Sequence, residues 1–181
     1  MDNMIDTSIP PIPTESKPSF SPEETGEVND QYYMARALRL ADRGLWSTDP
    51  NPRVGCVIVR DSEIVGEGWH QFAGEPHAEI HALSMAKEKA KGATCYITLE
   101  PCCHHGRTPP CTDALIKAGI SRVVVAVTDP NPLVFSKGIE QLLKAGVLVD
   151  TGVLSKEAEQ LNVGFFMRMR HNRPYIRCKL A

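Results

Sequence analysis

Aromatic residues and excess positive charge are both scarce in this sequence of 181 residues. Phe, Trp and Tyr make up 6% of the chain, and the formal net charge is −2 at pH 7. Proteins that bind nucleic acids usually carry a basic excess, and those that hold single strands also offer stacking aromatic side chains. The composition therefore argues against nucleic acid as a partner.

Long apolar runs are also lacking, since no stretch approaches the roughly 18 residues that a membrane helix needs. The N-terminal residues are acidic and proline-rich, which does not match the basic and then apolar pattern of a secretory signal. We therefore expect no membrane partner and a cytoplasmic location.

Six cysteines are present, and three of them lie between Cys102 and Cys111, beside two histidines. Cysteines crowded next to histidines in this way favour a metal site over a framework of disulfides.

The chain is predicted to begin with a disordered tail over residues 1–28. This segment holds five prolines and lacks the apolar periodicity that packing against a core requires. A helix capped by Asn29 or Asp30 is expected to follow it.

Helical and strand patterns then alternate up to residue 152. Two strands, 54–59 and 64–69, flank a turn at Asp61-Ser62 and predict a hairpin. A helix over 77–91 would present Ile80, Leu83, Ala86 and Ala90 on its apolar face. The later segments are strands over 94–99, 123–127 and 147–151 and helices over 109–119 and 138–145. This alternation predicts an α/β sandwich with a mixed or largely parallel central sheet.

Side chains that can bind a metal or transfer protons are concentrated in two segments. One is His77-Ala78-Glu79, and the other is segment 100–111, which reads Glu-Pro-Cys-Cys-His-His-Gly-Arg-Thr-Pro-Pro-Cys. One histidine and two cysteines supply three ligands to a tetrahedral zinc ion and leave one position for water, whose pKa falls to about 7. Cys111 lies just inside a predicted helix, where the positive end of the helix favours a thiolate. We predict that His77, Cys102 and Cys111 hold one zinc ion.

Other ligand sets are compatible with the same segment. Cys102 or Cys103 could bind zinc with His104 or His105, and this set could form a closed structural site. It requires a tightly curled loop and gives the nearby glutamate no role. His81 has a helical spacing suited to a metal ligand, but the two cysteines make it redundant.

Glu79 is predicted to move protons beside the metal. Hydroxide attack on an amidine-like ring carbon requires a proton at the ring nitrogen and later one at the departing amine. A single carboxylate can supply both if burial keeps its pKa near neutral.

Zinc deaminases that act on nucleobases carry the pattern H-x-E followed by P-C-x-x-C. Here eight residues, rather than two, separate the cysteines. With this spacing, segment 100–111 resembles the pyrimidine deaminases of riboflavin biosynthesis, as do segments 51–56, 66–70 and 128–132. The resemblance extends from about Tyr32 to the C-terminus. It implies a three-layer α/β/α sandwich of the cytidine-deaminase type, with a mixed central sheet.

The resemblance also implies an early reaction of riboflavin biosynthesis. The 2-amino group of 2,5-diamino-6-(5-phosphoribosylamino)pyrimidin-4(3H)-one is removed by hydrolysis, which gives 5-amino-6-(5-phosphoribosylamino)uracil and ammonia. The partner would then be this small phosphorylated pyrimidine, one zinc ion is expected per chain, and a homo-oligomer is expected. By position, the resemblance assigns pyrimidine and ribose contacts to Asn51 and His70, a phosphate contact to Arg107, and further substrate contacts to Asp129 and Asn131.

In that family the polypeptide usually continues into a reductase that uses NADPH. Residues 173–181 resemble the opening strand of that reductase. We therefore expect a deaminase domain over 29–152, and a linker helix with this strand over 153–181. The chain would be a truncated part of a bifunctional protein, although a natural deaminase of single activity is the alternative, and NADPH would serve only the absent reductase.

Two other functions fit parts of the sequence. A deaminase of bases in nucleic acid would use the same zinc chemistry, but it requires the basic groove and stacking aromatics that this composition lacks. A zinc module that binds a partner protein without catalysis would leave Glu79 with no chemical role.

Overall fold

Valine-rich strands form the centre of the molecule. The computed structural model describes residues 25–104, 109–131, 136–178 and 180. Within these ranges, five strands make one mixed sheet in the order β2-β1-β3-β4-β5. The strands are β1 (Gly55–Arg60), β2 (Glu63–Trp69), β3 (Thr94–Ile97), β4 (Arg122–Val125) and β5 (Leu148–Thr151).

The predicted hairpin is confirmed. Strands β1 and β2 are antiparallel, and the two residues between them, Asp61 and Ser62, have φ angles of 51° and 63°. Two consecutive positive φ angles are typical of the type I′ turn, whose twist matches that of the strands it connects. Strand β3 joins β1 in antiparallel orientation, whereas β3, β4 and β5 run parallel to one another. The mixed sheet is therefore as predicted.

Helices cover both faces of this sheet. Those in the described part of the chain are α1 (Thr25–Asp42), α2 (Ala78–Ala86), α3 (Cys111–Lys117), α4 (Lys137–Lys144), α5 (Ser155–Leu161) and α6 (Val163–His171), and a 3₁₀ turn over Lys87–Ala90 continues α2. One apolar core packs α2, α3 and α4 against one face of the sheet, and a second core packs α1, α5 and α6 against the other. The three-layer α/β/α sandwich is confirmed. None of these helices is both long and apolar enough to span a bilayer.

The first helix begins earlier than predicted. Helix α1 starts at Thr25, so Asn29 and Asp30 lie inside it and neither caps it. Asp30 is buried, and its carboxylate accepts hydrogen bonds from Arg122 and from the hydroxyl of Tyr96. These partners are distant in sequence, so the local pattern could not reveal that Asp30 has a tertiary role. Residues 1–24 of the predicted tail lie outside the described residues.

The predicted apolar face of α2 is correct in part: Ala86, and Ala90 in the 3₁₀ turn that follows, are buried in the core. Ala78, Ala82 and Ala86 are its buried apolar residues, whereas Ile80 and Leu83 are only half-buried. The physical reason is the short distance between α2 and the hairpin, which admits only small side chains on the facing side of the helix.

Glycines on β2 create this close approach. A Cβ atom at Gly66 would lie 2.2 Å from the carbonyl oxygen of Ala82, and one at Gly68 would lie 2.3 Å from that of Ala78. Any side chain at these positions would therefore push α2 off the sheet. Because His77 directly precedes α2, the same contact fixes where that histidine lies.

The segment that follows residue 152 packs on the domain. Ala158 of α5 and Phe166 of α6 are buried in the core that also contains Leu38 and Val124. The strand predicted from residue 173 onward is not formed over the described residues 173–178. A strand requires a hydrogen-bonded neighbour, and no strand of the described sheet pairs with this segment.

We predict that Gly66→Ala lowers the free energy of unfolding by about 1–3 kcal/mol, because the added methyl group overpacks the contact between β2 and α2. The measurement is the midpoint of urea unfolding. Gly164→Ala in α6 is the control, since the nearest atom to its new Cβ lies 3.9 Å away. That variant should be neutral or slightly more stable, because alanine is the better helix former. Wild-type stability for Gly66→Ala would contradict the packing argument.

Candidate active site

Three potential metal ligands converge at one end of the sheet. His77 precedes α2 in an extended conformation, Cys102 lies in the loop after β3, and Cys111 is the first residue of α3. The Nδ1 atom of His77 lies 3.6 Å from Sγ of Cys102 and 3.3 Å from Sγ of Cys111. All three ligand atoms lie within 4.8 Å of one another. One nitrogen and two sulfurs at this spacing fit the donor set that zinc prefers.

The surroundings of Cys102 favour its thiolate. Hydrogen bonds from the Cys111 thiol and from His77 lower the pKa of the Cys102 thiol, and the backbone N–H of Cys111 also donates to Sγ of Cys102 at 3.4 Å. The pKa of His77 is raised, chiefly by its hydrogen bond with Cys102. A sulfur that is already anionic is ready to bind a metal cation.

Glu79 is the second residue of α2 and lies beside these ligands. It is 2% exposed, and burial raises the pKa of its carboxyl to about 6. Its Oε2 atom has no hydrogen-bond partner among the described residues. A buried carboxyl with an open oxygen and a pKa near neutrality can both accept and release a proton.

A cavity of about 140 Å³ opens in front of the ligands. The residues that line it are Asn51, Pro52, Val54, His70, His77, Glu79, Leu99, Glu100 and Cys102. The structure thus brings two of the predicted substrate contacts, Asn51 and His70, next to the predicted metal ligands and to Glu79.

His70 has a defined tautomer in this cavity. Its Nδ1 atom lies 3.3 Å from the carbonyl oxygen of Pro76, and its Nε2 atom lies 3.1 Å from Nδ2 of Asn51. A carbonyl oxygen can only accept, so Nδ1 carries the proton and Nε2 accepts from the Asn51 amide. Burial lowers the pKa of His70, which favours this neutral form. The His70 ring also stands edge-on to that of His77, with 5.3 Å between centroids.

Asp129 and Asn131, two of the remaining predicted substrate contacts, lie in the loop after β4. The backbone N–H of Asp129 donates to Oε2 of Glu100 at 3.2 Å, and that of Asn131 donates to Oδ1 of Asp129 at 2.8 Å. Burial raises the pKa of the Asp129 carboxyl to about 6. Neither Asp129 nor Asn131 is among the described residues that line the cavity. Arg107 lies outside the described residues.

The alternative ligands are arranged differently. Cys103 and His104 belong to no described group of three metal-binding side chains, and His105 lies outside the described residues. The Nε2 atom of His81 is buried and has no hydrogen-bond partner among the described residues. Within the described chain, geometry therefore favours His77, Cys102 and Cys111.

The sequence reasoning missed Glu100, which organises one wall of the cavity. Glu100 is 4% exposed, and its carboxylate accepts backbone hydrogen bonds from Asp129 at 3.2 Å, Ser136 at 3.0 Å and Gly138 at 3.0 Å. It thereby ties the loop that carries Cys102 to the start of α4. The available signal was a carboxylate placed directly after an apolar strand and before Pro101.

The comparisons with known proteins agree with this geometry. The model of the family described as "Cytidine and deoxycytidylate deaminase zinc-binding region" matches residues 27–127. The match and the fold together define the class as zinc-dependent deaminases of the cytidine and deoxycytidylate type.

Two relatives indicate a particular family within this class of deaminases. The riboflavin biosynthesis protein RibD of Escherichia coli is 65% identical over 154 residues, which are 85% of this chain and 42% of that protein. The diaminohydroxyphosphoribosylamino-pyrimidine deaminase of Buchnera aphidicola subsp. Schizaphis graminum is 56% identical over 147 residues, which are 81% of this chain and 100% of that protein.

A solved structure of a protein with the same deaminase activity in its name is also similar to this chain. The Thermotoga maritima diaminohydroxyphosphoribosylaminopyrimidine deaminase/5-amino-6-(5-phosphoribosylamino)uracil reductase is 43% identical, with a TM-score of 0.79, over 82% of this chain and 43% of that one. The chain belongs to the diaminohydroxyphosphoribosylaminopyrimidine deaminase family, which confirms the resemblance seen in the sequence. It spans less than half the length of RibD from E. coli.

We predict that Glu100→Ala destabilises the protein by about 2–4 kcal/mol, because one buried and two partly buried N–H groups lose a charged acceptor. Hydrogen exchange should accelerate at the amides of Asp129 and Gly138, and urea unfolding should shift to a lower midpoint. Glu88→Ala, which alters an exposed glutamate, is the control and should change neither measurement. Unaltered exchange at Gly138 in Glu100→Ala would show that Glu100 does not hold this loop.

Proposed function

We propose that this chain catalyses the zinc-dependent hydrolysis of the 2-amino group of 2,5-diamino-6-(5-phosphoribosylamino)pyrimidin-4(3H)-one, an early step of riboflavin biosynthesis. The observation that carries the proposal is the convergence of His77, Cys102 and Cys111 beside buried Glu79 at the end of a cavity. The similarity to the Buchnera deaminase over that protein's whole length supports the substrate.

We assign the zinc ligands to His77, Cys102 and Cys111, with one ion per chain. When bound, zinc supplies hydrolytic chemistry by lowering the pKa of a coordinated water to about 7. The protein's contribution is to hold the three ligands together from separate elements and to leave the side that faces the cavity open to substrate.

Glu79 is the proton carrier in this proposal. Its Oε2 atom accepts a proton from the attacking water and passes it to the ring nitrogen of the pyrimidine. It then carries the second water proton to the amino group that leaves as ammonia. The raised pKa, near 6, supports this role because the carboxyl can change its protonation state near neutral pH.

Asn51 and His70 would contact the pyrimidine and ribose. The hydrogen bond between them, 3.1 Å long, orients the Asn51 carboxamide, whose remaining donor and acceptor suit the amino and carbonyl groups of a pyrimidine ring. Asp129 and Asn131 would supply further substrate contacts. Arg107 would bind the phosphate, since its planar guanidinium matches phosphate oxygens.

The proposal also covers the longer protein to which the relatives point. The Thermotoga protein is named as both deaminase and reductase. A longer polypeptide that contains this chain would add the NADPH-dependent reduction of the deaminated product. Self-association into a homo-oligomer and a cytoplasmic location remain part of the proposal.

We expect Glu79→Gln to retain zinc and to lose about 10²–10⁴-fold in the rate of ammonia release, because the amide cannot carry protons. Metal analysis and a coupled ammonia assay on the diaminopyrimidine nucleotide measure the two quantities. If the variant keeps zinc and releases ammonia at the wild-type rate, the assignment of Glu79 is wrong. Release from single-stranded DNA or tRNA, with none from the nucleotide, would instead favour the nucleic-acid deaminase.

Replacing either proposed sulfur ligand should remove the metal. We expect Cys102→Ser and Cys111→Ser to elute from gel filtration with little zinc, because a serine hydroxyl is a poor substitute for a thiolate at a zinc ion. Cys103→Ser is the matched control and should keep its zinc. Equal zinc loss from Cys103→Ser would move the site to the alternative ligand set.

A further inference from the structure

The segment over residues 49–54, here called the Asn51 loop, is held by a residue far away in sequence. Asn162 lies between α5 and α6 and is 5% exposed. The backbone N–H of Arg53 donates to Oδ1 of Asn162 at 2.8 Å, and Nδ2 of Asn162 donates to the Arg53 carbonyl at 2.8 Å. The Asn162 carboxamide thus pairs with the Arg53 backbone as a neighbouring strand would.

Further contacts hold the same loop from two sides. The Arg53 guanidinium donates to the backbone carbonyl of Leu161 and forms an ion pair with Asp42, 2.9 Å away, at the end of α1. Arg168 of α6 donates to the carbonyl oxygen of Pro50. Residues of the α5–α6 pair therefore form hydrogen bonds with the loop both before and after Asn51.

These hydrogen bonds help to set the position of Asn51. Its backbone N–H donates to the Thr48 carbonyl at 2.7 Å, and its side chain meets Nε2 of His70 inside the cavity. Arg53 is only two residues further along, so a shift of the Arg53 backbone displaces the Asn51 carboxamide. Misplacement of a substrate-orienting group by about 1 Å can cost about 10²-fold in activity.

We propose that Asn162 is a positioning residue for substrate binding, acting through the Asn51 loop. The identity of the substrate in this inference rests on the proposed deaminase function. In this proposal the helices α5 and α6 contribute to substrate binding by positioning the Asn51 loop. Their packing on the sheet is carried by other residues, Ala158 and Phe166, so packing and positioning can be tested separately.

The test compares Asn162→Ala with Phe166→Leu. In Asn162→Ala the Michaelis constant for the diaminopyrimidine nucleotide should rise about tenfold or more, since the Arg53 backbone loses both hydrogen bonds to the Asn162 carboxamide. The turnover number and zinc content should stay near wild type, because the metal ligands and Glu79 are untouched. Phe166→Leu should lower the urea midpoint without changing the Michaelis constant. Asn162→Asp, which keeps the acceptor for the Arg53 N–H, should recover part of the loss.

A second readout requires no substrate. The Arg53 amide donates directly to Asn162, so its hydrogen exchange should accelerate at least tenfold in Asn162→Ala and stay near wild type in Phe166→Leu. Exchange that is unchanged in Asn162→Ala, or a Michaelis constant that rises equally in both variants, would overturn the positioning role. If wild-type protein with zinc releases no ammonia from the nucleotide, the proposed function fails, while the exchange measurement still decides whether Asn162 holds the loop.

Discussion

The close contact between the glycines of β2 and the alanines of α2 is the constraint on which the rest of the site depends. Carbonyl oxygens of α2 lie only 2.2 and 2.3 Å from the positions that Cβ atoms of Gly66 and Gly68 would take, so the helix packs directly on the sheet. His77 and Glu79 lie at the start of that helix, and their height above the sheet is fixed by this contact. The loop after β3 and the start of α3 then bring the two cysteines to His77. Dense packing of this kind transmits small changes, because cores contain few voids to absorb them.

Two buried glutamates beside the cavity, Glu79 and Glu100, have different hydrogen-bond partners, and these partners suit one to a structural role and the other to proton transfer. Glu100 accepts three backbone N–H groups, which compensates for its removal from water and makes it a fixed point for two loops. Glu79 is equally buried but keeps one oxygen without a partner among the described residues, and its pKa is raised. A satisfied carboxylate serves as scaffold, whereas an unsatisfied one is available for proton transfer. The residue type is the same, and only the neighbours differ.

The pocket draws on both helical layers of the sandwich. Of the predicted site residues, His77 and Glu79 lie at the start of α2, Cys111 begins α3 and Cys102 lies in the loop after β3. The Asn51 loop is held by residues of α1, α5 and α6 on the other side of the sheet. His70, at the end of β2, contacts both sets through Asn51 and His77. The positioning role proposed for Asn162 therefore links the C-terminal helices α5 and α6 to the pocket.

The sequence by itself determined the alternation of strands and helices, the hairpin turn and the residue types suited to zinc, because each is a local pattern or a short motif. It could also single out Asn51 and His70, but only through a family resemblance. Tertiary structure alone decided where α1 begins, which face of α2 is buried, and that Glu100 and Asn162 organise the cavity walls. Those features depend on partners that are distant in the chain: the Asn162 carboxamide meets a backbone 109 residues away. Local periodicity reports which side of an element faces a core, and it carries no information about which distant backbone will lie there.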